Sequence, residues 1–211
     1  LRRQVMGLVQ ILAAFDWNIE IEEFTKLLLG LDYAEFLTGK EDEIEEFILS
    51  FIRERVAQRI ATITKRHDII DAVVNSHTSS IPEQLKAAKV LSAVSESEEF
   101  KGITEALNRV INISAKAQDD ASGEILEDRL ETASERTFVK AIQELNAKVG
   151  SLTPEELYSH LEAMAPKIND FFNENMVMVD DEATRRNRLR FLGLLSEIIL
   201  DLADFTSLIV K

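Results

Sequence analysis

The 211-residue chain is predicted to fold as an all-α helical bundle. Three observations carry this. Apolar residues recur at three- and four-residue intervals over long stretches, which is the period of an amphipathic helix. No extended alternation of apolar and polar residues marks a strand. Only seven glycines and three prolines interrupt the chain, and those are the residues that most often break helices. The expected total is about eight to ten helices.

Taken in order, Leu1, Val5, Leu8, Leu12 and Phe15 mark one face of a first helix. Asn18 is placed to cap a second, running through IEIEEFTKLLLG, because its short amide can accept from the first free backbone N–H groups. Ile44, Phe47, Ile48, Phe51, Ile52, Val56, Ile60 and Ile63 then keep helical spacing, predicting a long helix with one buried stripe. RHDIIDAVVNSH is expected to form a short helix, and SSIPEQLKAAKVLSAV another with Pro82 in its first turn, where a missing N–H costs nothing. SESEEFKGITEALNRVINISAKA opens on a capping serine with acids in the first turn, complementing the helix dipole.

QDDASGE is the most linker-like stretch and is expected to be an exposed loop. A helix is predicted over roughly 123–148, ended by Gly150. The next start is the clearest: Thr153 as N-cap, Pro154 at the first helical position and Glu156 completing a capping box. MVMV is short and apolar, and Asp180 or Asp181 caps a last helix. There is no internal repeat. The best boundary lies near residues 62–66, dividing a helical segment, 1–64, from a second helical domain, 65–211.

Composition narrows the function. The formal net charge is −14, which argues against broad, non-specific binding to nucleic acid, DNA included, and leaves a local basic face possible. Cysteine is absent, so disulfides, thiol catalysis and thiolate metal sites are excluded and a reducing cytoplasm is expected. No apolar run approaches the roughly 18 residues of a membrane span. The chain opens on Leu1 without an initiator methionine and without a signal-peptide pattern, and is read as a piece of a longer protein.

No catalytic centre is expected. The His67-Asp68 dipeptide lacks the further His and Asp ligands that a metal hydrolase needs, with only His77 and His160 in addition, and is read as a surface or helix-cap pair. The runs EDEIEE and DDE fit helix N-termini, where acids are favourable. There is no Gly-rich phosphate loop and no nucleophile elbow.

Two basic elements remain. Asp180, Asp181 and Glu182 are followed by Arg185, Arg186, Arg188 and Arg190. Asp181–Arg185 and Glu182–Arg186 have the favourable i,i+4 order, while Arg188 and Arg190 have no such upstream partner. In LNRVINISAKA, Asn108, Asn112 and Lys116 share a stripe beside Arg109, a combination suited to phosphates and exposed base edges. For both elements, a simple solvated face is the competing reading.

FFNENMVMVDDEATRRNRLRFLGLLSEIILDLADFTSL resembles the C-terminus of the bacterial glycyl-tRNA synthetase beta subunit. The matching residues are Phe171, Phe172, Met176 to Val179, Asp180, Asp181, Arg185, Asn187, Arg188, Leu189, Ala203, Asp204, Ser207 and Leu208. LRRQVMGLVQIL, HDIIDAVV and ALNRVINISAK resemble that family's earlier segments in the same order. Thr184 stands where the family usually has leucine, and Phe205-Thr206 varies the tail.

The resemblance implies a DALR-type anticodon-binding domain preceded by helices of the beta-subunit body. It implies a part of an ATP-using glycine–tRNA ligase of two alpha and two beta subunits, with the ATP and glycine site on alpha and no cofactor in this piece. The implied partners are glycine tRNA and the alpha subunit, with no membrane and no DNA. Arg185, Asn187, Arg188 and Arg109, with Asn112 and Lys116, are the expected RNA-contacting residues. The alternatives are an arginyl-tRNA synthetase-type anticodon domain, which shares the final-helix motif, and a helical scaffold that holds a partner subunit without binding tRNA.

Overall fold

The computed structural model describes residues 2–31, 39–116 and 123–210. Among these are nine α-helices and no β-strand: α1 (Arg2–Phe15), α2 (Ile21–Leu31), α3 (Glu41–Ile60), α4 (His67–Val74), α5 (Ile81–Val94), α6 (Glu98–Ser114), α7 (Ala133–Asn146), α8 (Pro154–Glu174) and α9 (Glu182–Leu202). Helices α6, α7, α8 and α9 pack on one another; α5 joins them to α1 and α4, and α3 packs against α1, α2 and α4. One apolar core runs from Val9 to Leu208. The boundary expected near residues 62–66 falls in the turn between α3 and α4, and the core continues through it. No described helix is long and apolar enough to cross a membrane.

Local signals explain the helix starts. Thr153 accepts from the Glu156 amide at 3.3 Å, and Glu156 accepts from the Thr153 amide at 2.9 Å, closing the expected capping box. Asp181 is the cap of α9, accepting from the Thr184 amide at 2.8 Å; that hydrogen bond holds its carboxyl below the usual range.

Several expectations change. Helix α2 starts at Ile21, so Asn18 does not cap it; the Asn18 amide oxygen accepts from the Ser80 hydroxyl instead. Ser97 stands at the N-cap of α6 without a side-chain capping bond. The helix expected over 123–148 is a 3₁₀ turn at Glu127–Arg129 followed by α7. A second capping box, Thr132 with Glu135, restarts the chain there. The stripe of α3 is only partly inward: Ile52, Val56 and Ile60 are buried, while Phe47 is 63% exposed. The loop expected at QDDASGE lies largely outside the described residues.

The HD dipeptide opens α4. Asp68 pairs with Arg66 and accepts from the Ile209 amide at 2.9 Å, so its carboxylate fastens the end of the chain to α4.

Candidate nucleic-acid interface

The surface near the start of α9 is organised around one buried carboxylate. Glu135 sits at the third position of α7 and is wholly buried. Its Oε2 accepts from the amides of Glu131 (2.7 Å) and Thr132 (3.1 Å), as a capping box requires. Its Oε1 accepts from Arg188 Nε at 2.6 Å. The rest of the Arg188 guanidinium is also committed: Nη1 donates to the Met176 carbonyl at 2.8 Å and Nη2 to Glu131 at 2.9 Å. A buried charge is tolerated when it is paired and its donors are satisfied, and here both partners meet that condition.

Neighbouring amides complete the frame. Asn187 grips the backbone of Leu126 twice, accepting from its amide at 2.7 Å and donating to its carbonyl at 2.9 Å. Asn175 accepts from the Thr132 hydroxyl and donates to Ser134 and to the Phe171 carbonyl. Arg185 donates to the Val179 carbonyl at 3.1 Å, and Arg190 to the Glu124 carbonyl at 3.1 Å. Gly123, at φ +111°, lies so close to Arg190 that a Cβ would stand 3.2 Å from its Nε, so backbone conformation and space both favour glycine there. The α9 arginines therefore clamp two segments, 123–131 and 175–179, against the helix that carries them.

This corrects part of the expected site. Asn187 and Arg188 are 1% and 3% exposed. Their donors are spent inside the protein, so they shape the surface and do not present it. Of the two expected ion pairs, Glu182–Arg186 forms, whereas Asp181 caps the helix and Arg185 turns to backbone. Phe171 and Phe172 are core, stacked among Phe138 and Phe191.

The other expected residues are outside. Arg109, Asn112 and Lys116 are exposed, and their spacing places them along one stripe of α6 and its C-terminal turn. The Arg109 guanidinium lies 4.0 Å over the ring of Phe172, a cation–π contact that fixes a positive group at the C-terminal end of α8. Arg185 is half-buried and belongs to both sets. Met176 and Met178, which lie outside the expected contact residues, are 71% and 61% exposed on either side of buried Val177. The alternation in MVMV, read as period two, was the available signal.

Residues 103–204 match the DALR anticodon binding domain family. Over its whole length the chain aligns with beta subunits of glycine–tRNA ligases. It is 30% identical over 214 residues to that of Pediococcus pentosaceus, 32% over 216 residues to that of Lactobacillus delbrueckii subsp. bulgaricus, and 34% over 211 residues to that of Streptococcus pyogenes serotype M18. The chain is similar throughout to a part of glycine–tRNA ligase beta subunits. These alignments take in 100% of the chain and 31%, 30% and 30% of the three relatives, so it spans about a third of their length. The α9 motif is here mostly architecture. Asp181 caps, Asn187 and Arg188 clamp, and Ala203 is fully buried. The Asp204 amide donates to the Ala72 carbonyl, docking the chain end on α4.

Proposed function

We propose that this chain binds the anticodon arm of glycine tRNA on behalf of a glycine–tRNA ligase. The observation that carries this reading is a coincidence of place. The stretch matching the anticodon-binding family contains the exposed Arg109–Asn112–Lys116 stripe, with Arg109 held over Phe172. In a chain of net charge −14, only such a local concentration of cations attracts a polyanion. Arg109 and Lys116 take phosphates, and Asn112 takes a base edge or ribose. Met176 and Met178 offer soft apolar surface to an unstacked loop base. Arg185 contributes at the edge, while Asn187 and Arg188 hold the segments in shape.

The wider assignment follows the same reading. The chain joins an ATP-using assembly of two alpha and two beta subunits in the cytoplasm. Alpha carries the ATP and glycine chemistry, and this piece holds no cofactor and no membrane contact.

The test is binding of glycine tRNA and of the same tRNA with both anticodon cytosines changed, across a salt series. Discrimination of about 1–3 kcal/mol per altered base is expected, with affinity falling as salt rises. Arg109→Ala and Lys116→Ala together should weaken binding about tenfold, on the order of two lost phosphate contacts, without lowering the melting temperature. Equal affinity of that double variant and the parent, with both folded, overturns the assignment of this stripe.

A further inference from the structure

The anticodon-binding region leaves a second surface unexplained. Helices α1 and α2 carry large apolar side chains that the described residues leave exposed. Of the six large apolar residues in α2, only Ile21 is buried; Phe24, Leu27, Leu28 and Leu31 are exposed, Leu31 to 67%. Phe15 and Trp17, stacked with ring centroids 5.3 Å apart, are exposed as well, as is Phe47 on α3. Eight of the twelve large exposed hydrophobics among the described residues lie between Ile11 and Phe47. A grouped apolar surface of this kind marks an interface, whereas single exposed residues need no explanation.

Helices α2 and α3 bring acids to this region, whereas α1 opens on Arg2 and Arg3. Glu22 and Glu23 open α2, and Glu41, Asp42 and Glu43 open α3. Several cations of α2 and α3 are engaged within the chain: Lys26 with Glu45, Arg53 with Glu22 and Glu46, and Arg55 with Glu54. A second copy would bring this acidic rim against its own like, which is costly. A covering partner needs an apolar centre with a basic rim. The chain spans about 30% of the beta subunits it matches, so the larger part of such a subunit is available as neighbour.

We infer that the α1–α2 face, with Phe47, is the seat on which the remaining part of the same beta subunit packs. This rests on the similarity to the beta subunits and not on tRNA reading. It gives the helices outside the DALR match a role: they anchor the RNA-reading domain to the body of the subunit through an apolar, acid-rimmed contact.

The experiment is carbene footprinting of side chains in this 211-residue chain alone and in the complete beta subunit containing it, with alpha added last. Labelling of Phe15, Trp17, Leu28 and Phe47 is expected to fall at least fivefold in the complete beta subunit before alpha is added, while Met176 and Met178 keep their labelling. Leu28→Asp with Phe47→Asp should lower the melting temperature of the complete subunit by several degrees and leave that of the short chain unchanged. Undiminished labelling in the complete subunit overturns the inference. So does protection that arises only with alpha, or protection of the short chain that grows with its own concentration. Loss of tRNA binding by Arg109→Ala does not bear on any of these readings, so the two proposals fail separately.

Discussion

Arg188 shows how far position decides what an arginine does. Alone on a surface it would be a candidate for phosphate. Here it is one side of a buried pair with Glu135, and its remaining donors hold the Met176 carbonyl and Glu131. Removing it strands a wholly buried carboxylate. Arg188→Ala should therefore destabilise the protein by about 3–5 kcal/mol in urea unfolding. Any loss of tRNA affinity should track the unfolded fraction. Arg109→Ala should behave in the opposite way, with little change in stability and a direct change in affinity. If Arg188→Ala stays as stable as the parent, the buried Arg188–Glu135 pair is not what holds this surface.

Among elements, the two capping boxes invite comparison because they share chemistry and differ in surroundings. Thr153 and Glu156 stand in solvent, and Thr153→Ala should cost about 0.5–1 kcal/mol. Thr132 also donates to Asn175, and its partner Glu135 holds Arg188. Thr132→Ala should cost about 2 kcal/mol, the upper end for a cap, as measured by thermal unfolding; equal costs at the two sites would show that Thr132 is a cap and nothing more. The contrast also shows what the sequence could reveal. Thr153-Pro154 with Glu156 is a local signal, and it places α8 correctly. Thr132 with Glu135 is equally local, but the helical pattern continuing upstream hid the break before it. Nothing local distinguishes Arg188 from Arg185, since their fates depend on Glu131, Glu135 and Met176 more than ten residues or several tens of residues away. The exposed stripe on α6 was legible because solvent exposure follows from helical period. Burial of a charge by tertiary partners does not.

For the whole molecule, one contact ties the segment after α9 to the start of α4. Asp68 accepts from the Ile209 amide and pairs with Arg66, which also donates to the Ile209 carbonyl at 2.9 Å. Burial alone would push the Asp68 carboxyl up, but Arg66 and the amide outweigh it and hold the folded value below the ordinary one. The sign follows from linkage. The contribution is fully present above the ordinary carboxylate range near pH 4 and is lost as the pH falls through the lowered folded value. Asp68→Asn should cost about 1.5–3 kcal/mol at pH 7 and progressively less below about pH 4, read from denaturation midpoints across that range. A gap between variant and parent that stays constant into acid would show that the carboxylate charge is not what pins the tail.

The double duty of Glu135 constrains how this sequence can drift. An ion pair on a surface can be inverted, with the acid and the base trading places over generations. Position 135 has no such freedom, because the amides of Glu131 and Thr132 require an acceptor there whatever stands at 188. Inverting the pair would leave both amides unanswered and aim a cation at the positive end of a helix. The route by which related chains vary this pair thus runs through loss of both charges at once or not at all. That makes the pair a two-step barrier, which single substitutions cross only by passing through a weakened fold.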